Sequence, residues 1–319
     1  MRTFNTVLLF FAVMGVCCKP EPLGPEESEP CILSYSVEGL LVDSSFSLCE
    51  ECGGELLAPG LVEASGAAAS RRTNNAFWSH NDSGHPNVLF LVNLSGELLL
   101  KLSLTGAGSR DYEDMCIGQG PDDEHPYIYL GDIGDNQAVH DYIVIYRFPE
   151  PVFALTEGTA MNTSLQEGEL ERFELVYPDG PRDAETLMFD PLSGELFVVS
   201  KRDFRSRIYK CNSAQLSLTS RTELEFVAQL PFNYAVAGDI SPTGQRIAIK
   251  DYDCIYAWER IPGESVVEAL KRQPVELPYI LEPQGESFAW LADESGYLTV
   301  SEQSGVYPPD VYIYLSTND

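Results

Sequence analysis

One phrase recurs five times along this 319-residue chain and limits its architecture more than any other feature. It opens with a short segment that is small or acidic and then turns apolar. The clearest copies are Glu63-Ala-Ser-Gly-Ala-Ala-Ala69, Asp111-Tyr-Glu-Asp-Met-Cys-Ile117, Asp183-Ala-Glu-Thr-Leu-Met-Phe189 and Gln284-Gly-Glu-Ser-Phe-Ala-Trp290. A turn follows, often with glycine, as in Leu192-Ser-Gly194 and Glu294-Ser-Gly296. Then comes an apolar run with a polar end, at residues 77–82, 127–132, 196–201 and 297–302. A weaker copy begins at Val236 and continues through residues 246–250.

The copies start near Ser65, Glu113, Glu185, Val236 and Glu286, at spacings of 48, 72, 51 and 50 residues. Further short Val-, Ile-, Tyr- and Phe-rich runs complete each unit, and Gly, Pro, Asn and Asp turns separate them. Helical periodicity is scarce; residues 263–272 are the best helical stretch. Repeats of ~40–50 residues with about four strands each predict an all-β chain folded as a β-propeller. Five units are countable, and a sixth blade fits only if the insertion near residues 151–168 hides one. The last unit lacks an outer strand, which the N-terminal segment 31–42 would supply, closing the ring. A pair of β-sandwiches is the competing architecture, and the repeated phrase argues against it.

Ahead of the repeats, Arg2 precedes the ten-residue apolar run 7–16. This is too short to span a bilayer and suits a secretory signal peptide at residues 1–18, cut after Gly15 or just after Cys18. A lipoprotein acylated on Cys17 is the alternative, with a poor match in Met14-Gly15-Val16. Residues 19–30, with four prolines and four glutamates, read as an extended linker, and 31–319 as a single propeller domain. The expected location is extracellular or periplasmic, with no membrane span in the mature chain. In that oxidising setting Cys31, Cys49, Cys52, Cys116, Cys211 and Cys254 are expected to pair, in an order the spacing leaves open. Cys49 and Cys52 have the spacing of a zinc knuckle, but no second pair follows, so a disulfide is the simpler reading. Asn81, Asn93 and Asn162 begin N-x-S/T triplets.

Charge sharpens the reading. Against 20 Lys and Arg stand 49 Asp and Glu, a net charge of −29, which becomes −30 once Arg2 is removed with the signal peptide. No basic stripe remains to grip a nucleic acid, and an anionic membrane would repel the surface. In a propeller the start of each first strand and the end of each second strand share a rim, because the two are antiparallel. This places Glu113, Glu185 and Glu286 on one rim, joined by Asp82, Asp132, Lys201, Lys250 and Glu302. Crowded carboxylates raise one another's pKa unless a cation intervenes, and the two lysines are outnumbered. A calcium ion is therefore expected, with Asp132, Asp135, Asn136 and Glu113 as candidate ligands. The ligand-binding candidates are Asp82, Glu286, Glu302, Arg147 and His80. In a hydrolytic version Glu185 or Glu113 activates water, and Lys201 or Lys250 steadies the developing negative charge. In a non-catalytic version the propeller is a platform for a glycan, a small molecule or an extracellular protein.

The phrases Trp78-Ser-His-Asn-Asp-Ser-Gly84, Asp111-Tyr-Glu-Asp114, Gly131-Asp-Ile-Gly-Asp-Asn136, Tyr146-Arg-Phe-Pro-Glu-Pro151, Asp183-Ala-Glu-Thr-Leu187 and Gly285-Glu-Ser-Phe-Ala289 together resemble a group of secreted β-propeller proteins, over about residues 55–315. That resemblance implies the fold and brings no established activity. More distantly, the acidic rim is similar to β-propeller phytases and to calcium-dependent lactonases and esterases of propeller fold. Those families imply calcium on channel carboxylates with an activated water or phosphate beside it. The chain departs from the phytases in lacking a full signature and a Lys/Arg cluster for polyphosphate, with only Lys201, Arg202, Arg205, Lys250 and Arg147 as candidates.

Overall fold

The computed structural model describes residues 30–122, 124–155, 158–303, 305 and 309–317. The expected signal peptide, Cys17 and all but the last residue of the expected linker lie outside the described residues. The chain forms a five-bladed β-propeller. Blade 1 is built from Ala64–Ala69, Ala76–Asn81, Val88–Asn93 and Leu98–Leu104; blade 2 from Tyr112–Gln119, Pro126–Asp132, Ile143–Pro149 and Glu171–Val176. Blade 3 comprises Ala184–Asp190, Glu195–Ser200, Arg207–Asn212 and Glu225–Gln229; blade 4, Ala237–Ile240, Arg246–Lys250, Ile255–Glu259 and Val275–Leu277. Blade 5 has Ala289–Trp290, Gly296–Val300 and Asp310–Ser316. The first strands pack side by side around the channel in blade order, and blade 5 returns to blade 1.

Each blade buries both faces, so its strands read as continuous apolar runs rather than strict alternations. Five apolar clusters lie between consecutive blades, such as Tyr129, Ile145 and Phe173 against Leu187, Val198 and Tyr209. Between blades 4 and 5, Trp290 and Tyr297 meet Ala237 and Ile255. Each large side chain buried this way contributes about 1.5–3 kcal/mol. The helical stretch is real but short, Val266–Leu270. Its capping box, Ser265 with Glu268, holds the turn despite β-branched Val266 and Val267.

The insertion does not hide a blade. Its segment Met161–Leu165 pairs in parallel with Leu98–Leu104 on the outer edge of blade 1. Thr222–Glu223 does the same for blade 2. The N-terminal segment closes the ring as expected, but through different residues. Cys31–Ile32 pairs in parallel with Glu225–Gln229 of blade 3, Val42 bridges Glu276 of blade 4, and Phe46–Leu48 becomes the fourth strand of blade 5. Gly54–Glu55 then pairs with Asp310 and Val311, and Leu57 bridges Glu97 of blade 1. An unpaired strand edge invites association with other chains; blades 1 to 4 each have a partner on the outer edge, and the short Phe46–Leu48 covers that of blade 5. Among the described cysteines, Cys49 and Cys52 form a disulfide within this belt, while Cys31, Cys116, Cys211 and Cys254 are free thiols. No helix among the described residues is long and apolar enough to cross a membrane.

Candidate metal centre at the channel mouth

The mouth is built by one repeated irregularity. In blades 1, 2 and 3 the pairing of first and second strands slips by a residue, between Ser65 and Ala67, Tyr112 and Asp114, and Ala184 and Thr186. A β-bulge leaves the extra residue out of the ladder and re-aims its side chain. The extra residues are Gly66, Glu113 and Glu185. Blade 1 cannot carry a third glutamate there. Gly66 has a φ of 66°, and a Cβ would lie 2.8 Å from both Asp114 Cα and His80 Nε2.

Two residues before each bulge glutamate stands an aspartate, Asp111 and Asp183. One carboxylate oxygen from each of Asp82, Asp111 and Glu113 lies within 4.8 Å of the others, and the same holds for Glu113, Asp183 and Glu185. Glu113 belongs to both trios. It is 3% exposed, and among the described residues no hydrogen bond reaches its carboxylate. The close approach of the next loop requires glycine at 134, where a Cβ would sit 2.2 Å from Glu113 Oε1 and 2.5 Å from Asp111 Oδ2.

Around this centre other groups are partly neutralised. The Lys201 ammonium binds Glu185 and lies 3.3 Å from Glu286 Oε1. The Tyr252 hydroxyl donates to Glu286. Arg202 Nε is 2.6 Å from Asp183 Oδ2, while Asp183 Oδ1 accepts the Asp135 N–H at 2.9 Å. Glu302, half-buried, accepts from the Gln284 side chain.

Protonation reports the strain of this crowding. Burial, then the Glu185, Asp82 and Asp111 charges, hold the Glu113 carboxyl well above its ordinary range. Burial, then neighbouring acids, push Asp111 up to about 6 and Glu302 up to about 7, and raise Asp82. Glu185 is also raised by burial, against the pull of Lys201. Lys201 itself is raised by Glu185 and Glu286, which outweigh its burial. A cation among these carboxylates would relieve the crowding by favouring their charged forms.

The sequence-derived candidates separate into two sets. Glu113, Glu185, Asp82, Glu286, Glu302 and Lys201 converge at the mouth. Asn136 also reaches it, between Asp111 at 3.5 Å and the Arg202 guanidinium. The rest do not contribute side chains there. One Asp132 oxygen accepts the N–H groups of Arg110 and Asp111 at 3.0 and 2.8 Å, which orients Asp111 rather than joining it. Asp135 accepts the His140 N–H at 2.7 Å within its own loop. Lys250 is wholly buried and donates to the carbonyls of Asp251 and Gly285 at 2.8 and 2.6 Å; burial pushes it down to about 8. Arg147 lies along the third strand of blade 2, paired with Glu171 at 2.7 Å and 4.8 Å from the Phe173 ring centre.

His80 is 1% exposed and packs edge-on against Tyr112. Its Nδ1 lies 3.0 Å from the Asn81 carbonyl and is therefore the protonated nitrogen. Burial pushes its pKa down to about 4, so the ring is neutral. Asn81 is buried, with its side-chain oxygen accepting from Val62 and Glu63 and its amide donating to Gly60, so it presents no glycan acceptor in the folded protein.

Sequence reasoning passed over Asp111 and Asp183. The signal was present: both stand at the same offset in the D-x-E of neighbouring repeats.

No family model and no curated protein sequence matches the chain. Among solved structures it is similar to a chain of a nidogen/laminin complex, at 11% identity and TM-score 0.43 over 76% of this chain and 73% of that one. It is also similar to the WD40 repeats of RRP9 (8% identity, TM-score 0.40, 86% of this chain and 99% of that one). The Dos1 propeller gives 6% identity and TM-score 0.38, over 82% and 95%. At such identities the likeness concerns the fold alone.

Proposed function

We propose that the mouth is a divalent-cation site, with calcium as the resident ion, and that the loaded ion receives an oxygen-bearing ligand entering the channel. The observation that carries this reading is Glu113: a buried carboxylate without a hydrogen-bond donor, shared by two acidic trios. Calcium takes about 6–8 oxygen ligands in adaptable geometry. Three carboxylates leave part of that shell open, and an incoming ligand can complete it. Ligand binding is favoured over hydrolysis because neither expected charge stabiliser is free: Lys250 is turned to backbone carbonyls and Lys201 is held by Glu185 and Glu286. Secretion, suggested by the N-terminal apolar run, would place the site where calcium is plentiful.

Thermal unfolding in chelator, in millimolar Ca²⁺ and in millimolar Mg²⁺ tests this. Calcium should raise Tm, with a stabilisation of about 2.7 kcal/mol at a hundredfold excess over Kd. Glu113→Gln should fold and lose that response. An unchanged wild-type Tm at millimolar Ca²⁺ would sink the cation reading.

A further inference from the structure

Large apolar side chains stand exposed around the same end of the channel. Val139 is 63% exposed, Phe204 91%, Tyr234 46%, Ile280 39% and Leu281 65%. They come from separate loops. Val139 and Phe204 follow the second strands of blades 2 and 3; Tyr234 precedes the first strand of blade 4, and Ile280 and Leu281 that of blade 5. All of these loops open onto the rim that carries Glu113, because first strands begin there and second strands end there. Scattered exposed apolar residues need no explanation; a collar of them around an acidic mouth does.

The collar is held, not frayed. The loop of Phe204 is pinned by Ser200 Oγ donating to Asp203 at 2.6 Å and by Arg182 to Asp203 at 2.7 Å. The Tyr234 N–H donates to the Lys201 carbonyl at 2.9 Å, in a backbone with a φ of 58°. A bulky residue in the left-handed region is costly, and such strain concentrates where it serves a function. The Ile280 N–H donates to the Tyr314 hydroxyl at 2.8 Å.

We infer that this end of the propeller docks a protein segment presenting a lysine or arginine flanked by large apolar side chains. The ammonium or guanidinium enters the acidic mouth toward Glu113, and the flanking side chains rest on the collar. Charge complementarity selects this occupant. A net charge of −29 opposes both a second copy of the chain and an anionic lipid surface. The inference uses the same carboxylates as the cation proposal but does not depend on the cation. It adds that the two compete, so calcium would release the docked segment.

The test uses fluorescence anisotropy in chelator with short labelled peptides carrying lysine or arginine between two leucines. One control has glutamate at the centre, and another has serines in place of the leucines. The basic apolar peptides should bind at least ~10-fold more tightly than either control. The double variant Phe204→Ser/Leu281→Ser should lose that preference with an unchanged Tm, since both side chains are exposed. Equal binding of all peptides, no binding, or an unaffected double variant overturns the inference. So does dimerisation that the double variant abolishes, or co-sedimentation with phosphatidylcholine vesicles, because the collar then serves another copy or a lipid. If calcium displaces the peptide, the competition holds. If peptides bind as expected but calcium neither displaces them nor moves Tm, the cation reading and its competition fail and the docking surface stands.

Discussion

Two populations of buried carboxylate occupy this propeller, and they differ in what their oxygens accept. Asp190 is 1% exposed, and it accepts from Arg260 at 2.7 Å, the Leu192 N–H and the Ser193 hydroxyl. Glu150 accepts from the Ser70 hydroxyl, the Arg71 N–H and the Trp78 ring N–H. Inside the channel, Asp114 accepts the N–H groups of Met115 and Leu187 at 2.8 Å each, the second crossing from blade 2 to blade 3. Asp239 accepts the Trp290 N–H at 3.0 Å, joining blade 4 to blade 5. These acids are structural, because their lone pairs are spent on the fold. Glu113 is as deeply buried and has no such donor. Burial alone therefore does not mark the candidate acid; what sets Glu113 apart is its membership of both acidic trios.

Removing a spent acid should cost the most. Asp190→Ala leaves the Arg260 guanidinium buried and unpaired, and should lower stability by about 3–5 kcal/mol in a denaturant titration. Asp114→Ala removes the acceptor of two buried N–H groups, one of them across a blade interface, and should cost about 1–3 kcal/mol. Glu113→Gln should act in the other direction, raising apo stability by about 1 kcal/mol as repulsion at the mouth is relieved. If it destabilises the apo protein instead, Glu113 belongs with the structural acids and the contrast breaks.

A further expected effect is in pH. Asp111 and Glu302 are held at about 6 and about 7 in the fold, above their ordinary values of 3.8 and 4.5. Between those limits the folded state binds more protons than the unfolded one. Their contribution to metal-free stability should therefore be full at about pH 4 and lost by about pH 8, read as a Tm that falls more, or climbs less, in the wild type than in Asp111→Asn/Glu302→Gln. Calcium should reduce or invert that slope, because its affinity rises as the same carboxylates deprotonate. The same pH dependence in the wild type and the double variant would contradict the crowding at the mouth.

The five-fold phrase was legible because propeller blades repeat the same packing problem. The rim placement of Glu113 and Glu185 followed from strand direction. What could not be read was the bulge, a one-residue slip that decides which of two adjacent acids faces the mouth and which, like Asp114, turns to the backbone. Asp132 and Lys250 misled for the same reason: a polar residue at a strand end looks identical in sequence whether it faces the mouth or ties down a turn. Arg147 was drawn in by its charge, although its strand position set it among Tyr129, Phe173 and Glu171. Closure by the N-terminal segment was foreseeable from the missing strand of blade 5. The strand that supplies it, Phe46–Leu48, was not, because segments two or three residues long leave almost no periodic trace.

The belt also imposes a schedule on folding. It pairs Leu48 with Tyr314 and Phe46 with Ser316, residues that lie on either side of blades 1 to 4 in the chain. The Phe46–Leu48 segment precedes every blade and its partner strand follows blades 1 to 4, so it must wait for that partner while those blades form. Contacts of such long sequence separation fold slowly. During that wait Phe46–Leu48 leaves its own backbone edge unpaired, an open template for other chains. The segment that finishes the ring last is thus the one whose delay exposes it most.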